Sequence, residues 1–272
     1  MARNVVVVIG VGGMGQAIAR RQGAGAQLVI ADFDQELLES VAKQLEGEGY
    51  QVTPVEVDVS SRPSVAALAE RASALGEVRS VAHTAGVSPV QAPVVAIVAV
   101  DLVGVALVLE EFAKVIAPGG AGVVIASMGG QFHPAPTGQD AIRLATAPAE
   151  ELASLPEVAA LTDPGAAYAF AKRINLLQVR AASSAWGARG ARINSVSPGV
   201  IATPMGQAEL ASGHGTAMQT MIDASNAGRI GTPADIAAAV DFLLSPAAGF
   251  ISGADLLVDG GVTAAITTGR LG

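Results

Sequence analysis

The sequence has no cysteine, one tryptophan and two tyrosines, with aromatic residues at 3% and charged residues at 15%. Without cysteine there is no disulfide, thiolate nucleophile or cysteine-ligated metal, which fits a reducing compartment and makes the cytoplasm the expected location. Basic residues are the scarcer charge, 16 Lys and Arg against 24 Asp and Glu for a net −8. No compact basic run offsets this, so a nucleic-acid partner is excluded. The three histidines, His83, His133 and His214, lack metal-ligand spacing, and no metal site is expected.

Targeting and membrane segments are also lacking. The apolar start breaks into Gly10, Gly12, Gly13 and Gly15 without a cleavage region, so it does not read as a signal peptide. Residues 93 to 112, PVVAIVAVDLVGVALVLEEF, approach spanning length but carry Asp101 in the middle. A carboxylate at the bilayer centre costs about 3 kcal/mol, which favours a buried helix and no membrane association.

What is present is apolar: 51% of 272 residues, ample for a large core. Aliphatic runs alternate with helical stretches, the pattern of βαβ units. Strands are expected at Val5–Ile9, Gln27–Ala31, Val52–Val57, Val78–His83, Gly122–Ala126, Arg192–Val196 and Ala254–Val258. Helices are expected to begin near Gly12, Gln35, Arg62, Pro93, Gly165 and Pro233, several behind capping residues such as Asp34, Ser60 or Ser61, and Thr232. The expected fold is α/β: one Rossmann-type, doubly wound parallel sheet of seven strands with helices on both faces, spanning 1–272 as a single domain. Two irregular regions interrupt it, an insert at 131–165 with a helix around Ala147–Leu155 and a turn near Glu157–Leu161, and a substrate loop at 204–230.

Between the first strand and first helix, Gly10-Val11-Gly12-Gly13-Met14-Gly15 satisfies G-x-G-x-x-G. Such a turn lets backbone approach a pyrophosphate at a helix N-terminus, although an ordinary tight turn would also read this way. Asp32 ends the second strand 22 residues after Gly10, where an acid can bind the adenosine ribose hydroxyls and repel a 2′-phosphate. This favours NAD over NADP. The alternative role for Asp32 is a helix cap alongside Asp34.

Tyr168 and Lys172, in Y-A-F-A-K, share one face of an expected helix. A nearby ammonium favours phenolate and can lower a tyrosine pKa, making it a proton acceptor.

With these motifs the chain resembles the short-chain dehydrogenase/reductase family from Val5 to about Val262. The other matches are Asp58-Val59, Thr84-Ala85-Gly86, Ser127 in S-M-G-G, Arg192 to Thr203 (R-I-N-S-V-S-P-G-V-I-A-T), Gly231 to Ala237 and Val258 to Gly261. The resemblance implies that Tyr168 is the general acid/base, that Lys172 lowers its pKa and binds the nicotinamide ribose, and that Ser127 holds the substrate oxygen. Asp58 and Val59, with Phe33 beside Asp32, fall at the adenine end; Thr84, Ala85 and Gly86 line the central wall. Pro198, Gly199, Ile201 and Thr203 hold the nicotinamide end. The glycine turn, Met14 included, takes the pyrophosphate, and a homo-oligomer, dimer or tetramer, is implied.

Four departures stand out. Ile9 and a glycine turn one residue short replace the family's T-G-x-x-x-G-x-G. Asp101 stands where an Asn of the proton relay is usual, so it is either a candidate catalytic acid that changes the relay's charge or a helix carboxylate paired elsewhere. Thr84 replaces an Asn, weakening one structural hydrogen bond. Ser127 and Tyr168 lie 41 residues apart, and the insert between them is similar to that of the bacterial 3α-hydroxysteroid dehydrogenase/carbonyl reductase subgroup, which puts the usual dimer interface in doubt.

The expected function is an NAD-dependent oxidoreductase interconverting a secondary alcohol and a ketone, with a lipophilic or steroid-like substrate favoured by an Ala-, Val- and Met-rich loop. The alternatives are a 3-oxoacyl-type reductase, disfavoured by Asp32 and the acidic charge, and a non-catalytic dinucleotide-binding sensor. An enoyl reductase fits poorly, since that branch has a longer Tyr-to-Lys spacing.

Overall fold

In the computed structural model, which describes residues 3–213 and 215–270, the seven expected strands form one parallel sheet. They are β1 (Asn4–Ile9), β2 (Gln27–Asp32), β3 (Gln51–Glu56), β4 (Glu77–His83), β5 (Ile116–Ile125), β6 (Arg192–Pro198) and β7 (Asp255–Val258), in the order β3-β2-β1-β4-β5-β6-β7. His214 lies outside the described residues.

Central strands are buried on both faces, so Val5 to Ile9 need no polar alternation. Their odd and even residues feed two cores. Val5, Val7 and Ile9 meet Leu102, Phe112, Ile174 and Trp186 on one side, while Val6 and Val8 meet Ile18, Leu38, Ile236 and Val240 on the other. The edge strand β3 is half exposed and holds Pro54, which an edge can tolerate. The strand order reverses between β1 and β4, and doubly wound sheets take ligands in the crevice outside the carboxyl ends at such a point.

The expected caps are met in part. Asp34 accepts from the Leu37 N–H, and Thr232 forms a capping box with Asp235. Ser61 holds the cap position before the Arg62–Leu75 helix without a side-chain bond.

Helical structure departs from expectation in three places. The helix entered after Pro93 runs over Val94–Ile97, then widens to a six-residue π-helical segment at Val98–Val103, then resumes over Gly104–Val115. Asp101 sits in the π segment, fully buried. In the insert, the helix expected at Ala147–Leu155 is only Ala149–Leu152, and a longer one covers Gly138–Thr146. Pro148 separates them, because the residue before a proline is forced out of helical geometry, as Ala147 is at ψ 143°. The 204–230 region, read as irregular, holds helices at Pro204–Leu210 and Gly215–Ala224.

The insert is built into the domain. Leu144, Ala149, Leu152 and Val158 are buried in the core shared with the Gly104–Val115 and Pro164–Ala188 helices. Arg62 ties its outer rim down by bonding Glu110, Glu111 and Glu150. Glu111 is nearly buried and keeps Lys114 as a second partner, whereas Glu110 and Glu150 face solvent and contribute little. Arg62→Ala is therefore expected to lower unfolding free energy by only about 1–2 kcal/mol. It should also speed proteolysis within residues 138–160 while the buried Trp186 keeps its native fluorescence. Unchanged proteolysis of the insert would show that its apolar contacts alone hold it.

Candidate active site

The glycine turn closes by backbone contact. Gly10 has φ +92°, and a Cβ there would lie 2.4 Å from the Ala85 nitrogen. A Cβ on Gly15 would lie 1.9 Å from the Gly10 oxygen. Gly12 differs: its φ of −65° is open to any residue and nothing lies within 4 Å of a Cβ placed on it. It caps α1 (Gly13–Gln22) and faces open space, a cradle that fits a pyrophosphate on the helix N-terminus. Met14 packs its side chain on the core.

Asp32 does not cap the following helix; Asp34 does. The Asp32 carboxylate instead accepts the Val11 N–H at 2.7 Å and the Asp34 N–H at 3.0 Å, which fixes an anion beside the turn. Phe33 follows, 72% exposed. Asp58 accepts from the Ser60 N–H and hydroxyl, and Val59 is buried against Gly104.

Along the crevice wall, Thr84 donates its hydroxyl to the Gly10 carbonyl at 2.7 Å. The threonine thus supplies a bond to the turn. The Ala85 N–H reaches the Ile9 carbonyl. Opposite, Pro198 accepts from the Met128 N–H, Gly199 donates to Val258, and Ile201 bridges to Gly231. Thr203 caps the Pro204–Leu210 helix through Gly206 and lies 3.1 Å from a Cβ placed on Gly13, joining the loop after β6 to the glycine turn.

Ser127 follows β5, its hydroxyl accepting the Gly129 N–H at 3.1 Å, and a Cβ on Gly129 would lie 3.4 Å from that hydroxyl oxygen and 3.8 Å from the Tyr168 ring. Tyr168 and Lys172 lie on the 25-residue Pro164–Ala188 helix, whose entrance is capped by Asp163. Lys172 is buried with its Nζ 5.5 Å from the centre of the Tyr168 ring and 2.9 Å from Asp101 Oδ1. Asp101 Oδ2 accepts the Val87 N–H at 3.2 Å, and a Cβ on Gly86 would sit 2.6 Å from Oδ1. The β4 loop thus closes over the ion pair.

The electrostatics follow from burial. Desolvation works against the Lys172 charge, but Asp101, and Tyr168 when ionised, outweigh it and raise the lysine pKa. Burial raises the Asp101 pKa, with Lys172 and the Val87 N–H pulling against it. Tyr168 is raised by burial; Lys172 and Ser127 pull it down, and Asp101 pushes it up. Lys172 does pull the Tyr168 pKa down as expected, but burial of the phenol, joined by Asp101, leaves the net direction upward.

Residues 4–138 match the family model described as short chain dehydrogenase, and 151–263 the one described as enoyl-(acyl carrier protein) reductase. The chain is 38% identical over 267 residues to the short-chain dehydrogenase/reductase bsc3 of Alternaria brassicicola, covering 97% of each. The chain belongs to the short-chain dehydrogenase/reductase family. It is 26% identical to the 3-alpha-hydroxysteroid dehydrogenase/carbonyl reductase of Comamonas testosteroni, over 82% of this chain and 90% of that one. The crystal structure of levodione reductase superposes with a TM-score of 0.76 at 26% identity, over 97% of this chain and 98% of that one. Membership makes the protein an oxidoreductase of alcohols and ketones that binds a nicotinamide dinucleotide.

Three members of the site escaped the sequence reading. Asn175 donates to the Asp101 carbonyl at 2.9 Å and to Gln178 Oε1 at 3.2 Å, behind Lys172. Its place three residues after Lys172, on the same helix face, was a readable signal. His83, at the end of β4, is buried with neither ring nitrogen hydrogen-bonded among the described residues. Its pKa is pushed down to about 3 by burial and then by Lys172. Glu209, on the Pro204–Leu210 helix, acts on Tyr168 by charge.

The turn separates two roles for glycine. Gly12→Ala should fold with an unchanged Tm and lose at least about tenfold in dinucleotide affinity by calorimetry, because the cradle is filled. Gly15→Ala should cost about 2–4 kcal/mol in stability from its clash with the Gly10 carbonyl. Full affinity in Gly12→Ala would place the pyrophosphate elsewhere.

Proposed function

We propose that the protein is an NAD-dependent dehydrogenase/reductase interconverting a neutral, lipophilic secondary alcohol and its ketone, with a steroid-like ring compound as the favoured size class. The observation that carries the reading is the convergence of Ser127, Tyr168 and the Lys172–Asp101 pair at the carboxyl ends of the sheet, beside the open cradle at Gly12.

Within it, Ser127 donates a hydrogen bond to the substrate oxygen and Tyr168 exchanges the proton on that oxygen. When bound, the dinucleotide supplies or accepts the hydride. Lys172 holds the nicotinamide ribose and Asp101 holds Lys172. Gly10, Gly12, Gly13, Met14 and Gly15 receive the pyrophosphate through backbone groups. Asp32 favours NAD because a 2′-phosphate would approach a carboxylate held in place by the Val11 and Asp34 N–H groups.

The substrate class follows from charge. The stretches that follow β4 (84–97), β5 (127–138) and β6 (199–213) contain no Lys or Arg. A phosphorylated or carboxylate substrate would find no counter-ion there, which disfavours acyl-carrier and CoA esters. The Tyr-to-Lys spacing of four also disfavours an enoyl reductase, whatever the description of the C-terminal family model.

Turnover tests the reading. With saturating NAD and a panel of hydroxysteroids and aliphatic secondary alcohols, NADH should form, and Tyr168→Phe should reduce kcat by at least about 100-fold while still binding NAD. NAD binding with no turnover of any compound, unchanged in Tyr168→Phe, would leave a dinucleotide-binding sensor. Asp32→Ala should lower kcat/KM for NAD about 10–100-fold relative to NADP, the loss of charged hydrogen bonds; an unchanged ratio would overturn the cofactor assignment.

A further inference from the structure

The Lys172–Asp101 contact carries a consequence for Tyr168. A lysine four residues after a tyrosine promotes tyrosinate only as far as its charge is felt at the phenol. Here Nζ lies 5.5 Å from the ring centre, and a carboxylate lies 2.9 Å from Nζ. Both ends of the pair are buried, Lys172 at 4% and Asp101 at 0% exposure, so solvent does not screen the opposing charge. From the phenol the pair is a dipole rather than a cation, and the stabilisation of tyrosinate shrinks accordingly.

We propose that Asp101 is a positioning residue that neutralises Lys172 and thereby keeps Tyr168 in its protonated form through the neutral range, ready as the acid for carbonyl reduction and deprotonated for alcohol oxidation only in alkali. The inference rests on the proposed role of Tyr168 as the proton-exchanging group. In reduction the hydroxyl O–H bond breaks, the proton goes to the substrate oxygen as hydride reaches carbon from the bound dinucleotide, and the tyrosinate left behind is reprotonated from solvent. In oxidation tyrosinate takes the alcohol proton as hydride leaves carbon. The overall equilibrium is untouched, since Asp101 acts on the catalyst alone.

The surroundings agree. Lys172 faces Tyr168 from its own helix, Asp101 from the π segment and Glu209 from the Pro204–Leu210 helix; Ser127, after β5, contributes a hydroxyl. His83, from β4, faces Lys172 and is uncharged at neutral pH, so it adds no cation. Burial raises the tyrosine pKa most, and both acids act in the same direction, Asp101 the more strongly.

The test reads tyrosine ionisation itself. The chain has two tyrosines, and Tyr50, bonded to the Arg20 carbonyl, lies beside the amino-terminal ends of β2 and β3, away from the crevice. In a Tyr50→Phe background the tyrosinate ultraviolet band reports Tyr168 alone. That protein should titrate at or above the ordinary phenol value. Asp101→Asn, which keeps an acceptor for the Val87 N–H, should bring the midpoint down by about one unit, a roughly tenfold gain in tyrosinate at a given pH. The alkaline limb of alcohol oxidation should move down by the same amount. Glu209→Gln should shift the midpoint less.

A Tyr168 midpoint already well below the ordinary phenol value with Asp101 intact would overturn the proposal, and that measurement needs no Asp101 variant to fold. So would a midpoint unmoved or raised by Asp101→Asn, or a larger shift from Glu209→Gln. Because the titration needs no turnover, it separates failure of this inference from failure of the proposed activity. If Tyr168 titrates as expected while oxidation shows no matching limb, the role of Asp101 stands and that of Tyr168 as proton carrier falls.

Discussion

A lysine ammonium carried into the interior of an apolar domain is costly unless an anion meets it. In this chain Asp101 meets that demand, and the site is organised around the resulting pair. The Pro164–Ala188 helix brings Lys172, the π segment brings Asp101, the loop after β4 closes over both at Gly86, and Asn175 fastens the π segment from behind. A buried ion pair stabilises a fold little compared with apolar packing, but it fixes geometry, since either partner left alone is expensive. The register of two long helices against the sheet is set by that requirement, and Tyr168, one turn from Lys172, inherits its position.

The second constraint is steric. A dinucleotide crevice needs backbone close to the ligand, and the chain obtains this by omitting side chains. Gly10 and Gly15 let the turn, the start of α1 and the loop after β4 nest within contact of one another, and Thr84 locks that arrangement with its hydroxyl. The reversal of strand order between β1 and β4 opens the space into which Gly12 faces, and Thr203 reaches across to Gly13 from the far rim. Parallel strands buried on both faces supply the rigid frame that holds these loops in register.

Much of this is legible in the order of residues, and the parts that are not share a physical reason. The seven strands can be read because Val5–Ile9, Gln27–Ala31 and their counterparts are aliphatic runs bounded by turns, with no polar alternation to confuse them. β5 begins earlier than read, at Ile116, because Pro118, Gly119 and Gly120 mask its first half. Tyr168, Lys172 and Ser127 are recognisable from spacing and context, and the structure does bring them together. The π segment has no periodic signature, so the inward turn of Asp101 could not be foreseen, nor could a contact with a lysine so distant in sequence. The insert's helices were displaced by one proline, and the helices after Thr203 were missed although Thr203-Pro204 repeats the cap and proline that announce the helix at Thr232-Pro233. The downward pull of lysine on tyrosine is legible in the four-residue spacing; the burial of the phenol and the approach of Asp101, which reverse the net direction, are not.

The account turns on where three protons reside when the site is at rest. Neutron diffraction from crystals grown at neutral pH would show them directly. The account predicts a full ammonium on Lys172, a bare carboxylate on Asp101 and a hydrogen on the Tyr168 oxygen. A tyrosinate beside Lys172, or a protonated Asp101 carboxyl, would contradict it.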